Sequence, residues 1–217
     1  MDEAARQTAF LTALTTEHFV LQSAASSTIA EASARSSLYV LSLSSSLVAI
    51  GFTAQSRELF IPFVSALLPA VFLLGLFTVM RLVDTSLEYM QHLTGIARIR
   101  SYYRTLDPEA AEHFAAKTGR WPEAIQSTPA LRLGSLLAFL GTTASMIAVT
   151  NNVLAGVGVT MLAKHLLDKN HTWLAIPIGI ASAVLLTAAF LVYQRWLFSH
   201  FDGSDVQKSE RGQENDK

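Results

Sequence analysis

Four apolar stretches, each close to the length a helix needs to cross a bilayer, dominate this chain. They run over roughly residues 37–54, 59–80, 133–153 and 173–194, and charged residues fall at their edges, not inside them. A helix rises 1.5 Å per residue, so about 20 apolar residues cover the ~30 Å of hydrocarbon in a membrane. A chain that gathers its apolar residues into such blocks is one that lipid solvates. The expected fold is therefore all-α: a polytopic membrane protein built as a four-helix transmembrane bundle, with helical cytoplasmic extensions of spans one and two.

Composition narrows the function classes. Hydrophobic residues make up 51% of the 217 and charged residues 15%, against about 25% charged in an average soluble protein. A net charge of −1 sets up no field that would attract nucleic acid, and none is expected as a partner. The sequence has no cysteine, which excludes disulfides, thiolate metal sites and a thiol nucleophile. The first 35 residues lack a compact apolar core followed by a cleavage site, so no signal peptide is expected.

Basic residues sort by side. Arg6 and Arg35 precede span one. Arg81, Arg98, Arg100, Arg104, Lys117, Arg120 and Arg132 lie between spans two and three, and Arg195, Lys208, Arg211 and Lys217 follow span four. Only Arg57, Lys164 and Lys169 fall on the opposite side. Positive charge is retained in the cytoplasm, so both termini and the central segment are expected inside a bacterial inner (plasma) membrane. Trp173 and Trp196 bracket span four, as aromatic rings do at membrane interfaces.

Five segments follow: a cytoplasmic N-terminal helix over 1–36, a transmembrane hairpin over 37–83, a cytoplasmic helical segment over 84–130, a second hairpin over 131–198, and a disordered cytoplasmic tail over 199–217. Residues 3–35 contain neither Gly nor Pro, which predicts one helix of about 50 residues running into span one. A four-residue turn, Gln55-Ser56-Arg57-Glu58, joins spans one and two. Span two holds Pro62 and Pro69, the second placed to bend it, and its apolar pattern continues to Leu106. Asp107-Pro108-Glu109 has the form that opens a short linker helix, and Gly119, Pro122 and Pro129 then interrupt the segment. Span three stays apolar from Leu131 to Leu167, with Asn151-Asn152 and Gly156-Val157-Gly158 inside it. Paired Asn and nearby Gly weaken helices, so a break near Asn152 is expected, followed by an interfacial or re-entrant stretch.

Thr16, Ser23, Ala30, Ser37, Ser44 and Gly51 recur every seven residues and are all small. Such a seam lets helix backbones approach in lipid; it is filled by a neighbouring helix of the same chain, by a second copy, or faces a pore. Ser37, Ser44, Asn151 and Asn152 are thus candidates for a pathway or packing seam. Arg81, Asp84 and Glu88 share one helix face at the inner boundary, as an interhelical ion-pair cluster or an inner mouth. The like-charged Asp84–Glu88 pair calls for a cation, for which Arg35 is a candidate. Glu17 and Glu31 are candidate stalk contacts for Arg98, Arg100 and Arg104, which are alternatively suited to anionic lipid headgroups.

Enzyme motifs are missing: no GxSxG, HExxH or Walker loop, and no carboxylate within a span. The histidines lack the i,i+4 spacing of a helical metal site. No cofactor or metal is expected, and the chain is read as a non-enzyme. The segments Thr16-Glu17-His18-Phe19-Val20-Leu21-Gln22, Thr28-Ile29-Ala30-Glu31 and Arg98-Ile99-Arg100-Ser101-Tyr102-Tyr103 resemble those of small bacterial four-span membrane proteins of unassigned function. That resemblance implies topology and no ligand. The leading expectation is a homo-oligomeric channel-like or membrane-permeabilising protein with its stalk as regulatory region. The rival is a scaffold or sensor subunit that docks a cytoplasmic partner. A small-solute transporter ranks third and an intramembrane enzyme last.

Overall fold

In a computed structural model, residues 2–106 and 142–201 are described, and they are helical almost throughout. The elements are α1 (Glu3–Thr53), α2 (Arg57–Leu106), α3 (Thr143–Leu166), a 3-10 turn (Lys169–Leu174) and α4 (Ala175–Phe201). All four α-helices are long and apolar enough to cross a membrane. The chain divides into two compact units, Met1–Ser37 with Asp84–Gly141 and Leu38–Val83 with Thr142–Lys217.

Helix α1 runs unbroken for 51 residues, as a stretch free of Gly and Pro until Gly51 permits. Its serines and threonines do not interrupt it because many donate their hydroxyls back to the helix. Thr8, Thr12, Thr15, Ser26, Ser36, Ser45 and Ser46 each bond the carbonyl four residues earlier, which satisfies the hydroxyl locally. The turn into α2 is tight: Ser56 N donates to Thr53 O, and Ser56 O receives Leu59 N and Phe60 N. Helix α2 continues for 50 residues through Pro62 and Pro69 to Leu106.

In the first unit, the N-terminal part of α1 lies antiparallel to the C-terminal part of α2. Phe10 meets Tyr102 edge-on with ring centroids 5.5 Å apart, the Thr15 and Tyr103 hydroxyls are 3.4 Å apart, and Leu21 covers Gly95. Ala25, Thr28, Met90, Ile96, Ala97 and Ile99 are buried. The linker helix expected after Asp107, the start of span three and the expected tail beyond residue 201 lie outside the described residues; residues 199–201, expected in that tail, are the last turn of α4.

In the second unit, α3 corrects the sequence expectation. The helix passes through Asn151, Asn152, Gly156 and Gly158 without a break. Both Asn side chains bond neighbouring helices and so do not compete for their own backbone. The glycines sit in a helix whose cost is offset at Gly156 by close approach to α4. Residues 153–163 therefore continue the same helix and are not a separate, broken segment. Thr142 caps the helix, its hydroxyl accepting from Ser145 N at 3.2 Å, and Leu167 N closes the other end on Ala163 O. The 3-10 turn leads directly into α4, with His171 N on Asp168 O.

Candidate functional site

The second unit buries a set of polar side chains among apolar ones such as Leu82, Val83, Ile147 and Ala175, and its outside is apolar. Its least accessible side chains include Tyr39 (1% exposed), Ser145, Asn151 (3%) and Gln194. Leu38, Leu41, Val48, Phe52 (75%), Phe77, Leu185 and Val192 stand on the outside. Trp173 and Trp196, at the two ends of the fourth apolar stretch, are both largely exposed.

The interior polar groups form layers along α3. At its N-terminal end, Ser145 Oγ donates to Gln194 Oε1 at 3.0 Å, and Gln194 Nε2 donates to Thr142 Oγ1 at 3.4 Å. Two turns on, Asn152 Nδ2 donates to Thr187 Oγ1 at 3.2 Å, tying α3 to α4. On the adjacent face, Asn151 ties three helices. Its Nδ2 donates to the Phe72 carbonyl at 3.2 Å, and its Oδ1 accepts from the Tyr39 hydroxyl at 3.3 Å. This reach exists because residue 75 is Gly: a Cβ there would overlap the Asn151 amide and stand 2.8 Å from Tyr39 Cε2. One turn further, α3 and α4 meet backbone to backbone. A Cβ on Gly156 would lie 2.6 Å from Gly179 O and 2.9 Å from Ala183 Cβ, and one on Gly179 would overlap Thr160.

The charged candidates are dispersed differently from expectation. Arg35 does not serve the Asp84–Glu88 pair; its Nε donates to Glu31 Oε1 at 2.8 Å, four residues earlier on the same helix. An i,i+4 partner is available without ordering a second helix, so the local pair forms. Asp84 is exposed, and Arg81 and Glu88 are half-buried. Glu17 and Arg98 are exposed, Arg100 and Arg104 are half-buried, and both terminal nitrogens of Arg104 are buried without a hydrogen-bond partner.

The small seam of α1 faces outward. Thr16, Ser23, Ala30, Ser37, Ser44 and Gly51 are all exposed, and no atom lies within 4 Å of a Cβ placed on Gly51. Of the pathway candidates, Ser37 and Ser44 share this surface while Asn151 and Asn152 lie inside. The interior partners Tyr39, Gly75, Thr187 and Gln194 were not singled out from the sequence. Gln194 is an isolated amide in an apolar run, and Gly179 and Ala183 have small-residue spacing, signals that point to helix contacts. Among the described residues no group of three or more His, Asp or Glu side chains is placed to hold a metal ion. No protein-family model, no curated protein and no solved structure matches this chain.

Proposed function

We propose that this chain is a non-enzymatic multi-pass protein of the bacterial inner membrane, with both termini cytoplasmic, that assembles through α1 into a homo-oligomeric channel-like bundle. The observation that carries the reading is the outer face of α1. Helices α2, α3 and α4 turn polar groups toward one another, whereas α1 turns a line of small residues outward. Ser45 and Ser46 satisfy their hydroxyls within the helix, but exposed Ser37 and Ser44 make no such bond. In lipid such hydroxyls favour a protein or water neighbour over hydrocarbon.

In this reading copies of α1 surround the pathway, Ser37 and Ser44 border it, and Asn151 and Asn152 hold its wall rigid. Arg81, Asp84 and Glu88 stand at the inner mouth, and the hairpin of residues 2–37 and 84–106 is the regulatory region. The test is ion flux through the purified full-length protein in liposomes, together with its mass in detergent. A defined oligomer that conducts, with flux cut by Ser44→Leu, supports the reading. Tight vesicles, or flux indifferent to Ser44→Leu, would overturn it.

A scaffold or sensor role is the second reading, and one observation favours it. Phe19, Val20 and Ile29 are more than half exposed on the hairpin, a surface suited to a cytoplasmic partner. Full-length protein that captures one specific soluble protein, and loses it on Val20→Asp without any flux, would select this reading.

A further inference from the structure

The first unit holds a charge that no group among its described residues satisfies. Both terminal guanidinium nitrogens of Arg104 are shut off from solvent, and neither bonds any group. A buried cation without a partner is among the most costly arrangements in a protein. The hairpin's carboxylates do not answer it. Glu31 holds Arg35, Glu17 is exposed, and no acidic residue lies between Glu88 and Leu106.

The surroundings add positive charge and a second orphan. Arg100 sits one turn before Arg104 on α2 and is half-buried. On α1, Nδ1 of His18 is also buried without a partner. The register set by Phe10 against Tyr102, Thr15 against Tyr103 and Leu21 against Gly95 puts His18 level with the turn that carries Arg98 and Arg100. The hairpin therefore gathers unsatisfied polar nitrogens and basic side chains along a short stretch of its length. Because both ends of the Arg104 fork lack a partner, the group that matches it is an oxyanion with two oxygens side by side, not a spherical halide, and the enclosing side chains must part to admit it.

We propose that Arg104, with Arg100 and His18, forms a binding site for a phosphate group, supplied either by a free phosphorylated solute or by an anionic lipid headgroup. Binding replaces an unpaired buried charge with a paired one, so the ligand stabilises the hairpin as well as occupying it. The inference is independent of whether the chain conducts.

Thermal unfolding of the full-length protein tests it, at constant ionic strength, with chloride exchanged for inorganic phosphate. A parallel series uses nanodiscs of phosphatidylcholine with and without phosphatidylglycerol. At about ten times the dissociation constant, the midpoint should rise by roughly 3–6 °C. A rise with phosphate in detergent assigns a soluble ligand, and a rise only with phosphatidylglycerol assigns the headgroup. Arg104→Gln should lose the response and, lacking the orphan charge, should melt no lower than wild type without the anion. Arg104→Lys, which keeps the charge and loses the fork, should respond at least several-fold more weakly. No rise with either probe in the wild type would overturn the site whatever the variants do, and so would an undiminished rise in Arg104→Gln.

Discussion

Replacing Gly75 by Ala tests the three-helix tie directly. An added methyl cannot sit beside the present Asn151 amide, and Tyr39, at 2.8 Å from it and 1% exposed, has no room to retreat. Asn151 must therefore swing away, giving up its bond to the Phe72 carbonyl at 3.2 Å and the one from Tyr39 at 3.3 Å. Both are at the long end for hydrogen bonds, and such interhelical bonds average about 0.6 kcal/mol in membrane proteins. Their loss alone costs about 1 kcal/mol. Overpacking adds roughly 1–3 kcal/mol, and the gain in helix propensity from Gly to Ala returns up to about 1 kcal/mol. With overpacking at the middle of its range the net is about 2–3 kcal/mol, dominated by the steric part.

The assay is reversible unfolding in bicelles, where 2–3 kcal/mol corresponds to a midpoint drop of roughly 4–12 °C for a chain of this size. Because the clash is with Asn151, a double-mutant cycle is the sharper readout. Asn151→Ala removes the obstacle, so the double variant should cost at least ~1 kcal/mol less than the sum of the singles. Tyr39→Phe, which removes only one long bond, should cost about 0.6 kcal/mol. Additivity within about 0.5 kcal/mol, or a Gly75→Ala variant as stable as wild type, would refute the reasoning.

The glycines of α3 and α4 should not behave alike. Gly156→Ala and Gly179→Ala meet backbone or Thr160 and should each lose about 1–3 kcal/mol, while Gly158→Ala, with nothing within 4 Å, should be neutral or gain up to about 1 kcal/mol. Equal losses at 156 and 158 would mean the face toward α4 is misassigned. The absence of native cysteine permits single-cysteine mapping of the proposed topology. Ser56→Cys and Asn170→Cys should react with an impermeant maleimide in intact cells, and Thr8→Cys only after permeabilisation; the reverse pattern would invert the orientation. Ser44→Leu should reduce liposome flux several-fold while leaving the helical content unchanged by circular dichroism, since Ser44 is exposed in the protomer.

The long helices were legible because their signals are local. Residues 3–35 lack helix breakers, and the pattern after Arg81 carries the 3.6-residue period to Leu106, where α2 ends. The continuity of α3 was not legible. Asn and Gly propensities are measured for helices in water, where Asn can turn its amide on its own backbone. Here Asn151 finds the Phe72 carbonyl through a notch at Gly75, more than 70 residues away in sequence, and no local window contains that partner. The Glu31–Arg35 pair failed for the opposite reason. The expected long-range pairing lost to a neighbour one helical turn away.

The same contrast bears on what α1 does. Helices packed in lipid gain no hydrophobic drive from touching one another, so they hold by close backbone approach and by polar groups that find partners. The pair α3 and α4 uses both devices, with Gly156 on Gly179 and Asn152 on Thr187, and α2 joins through Gly75 and Phe72. Helix α1 enters this network through the Tyr39 hydroxyl, by a bond worth a few tenths to one kcal/mol. Yet α1 also carries the same kind of material, small residues every seventh position and unbonded hydroxyls at Ser37 and Ser44, on its exposed side. On the proposed reading, a helix equipped for close approach but not closely approached finds its partner in a second copy of the chain. That expectation makes the mass of the purified protein informative on its own. An oligomer that dissociates when Gly51 and Ser44 are both replaced by Leu would locate the contact on this face. A protein that stays monomeric in both detergent and nanodiscs would leave the seam without a role in assembly.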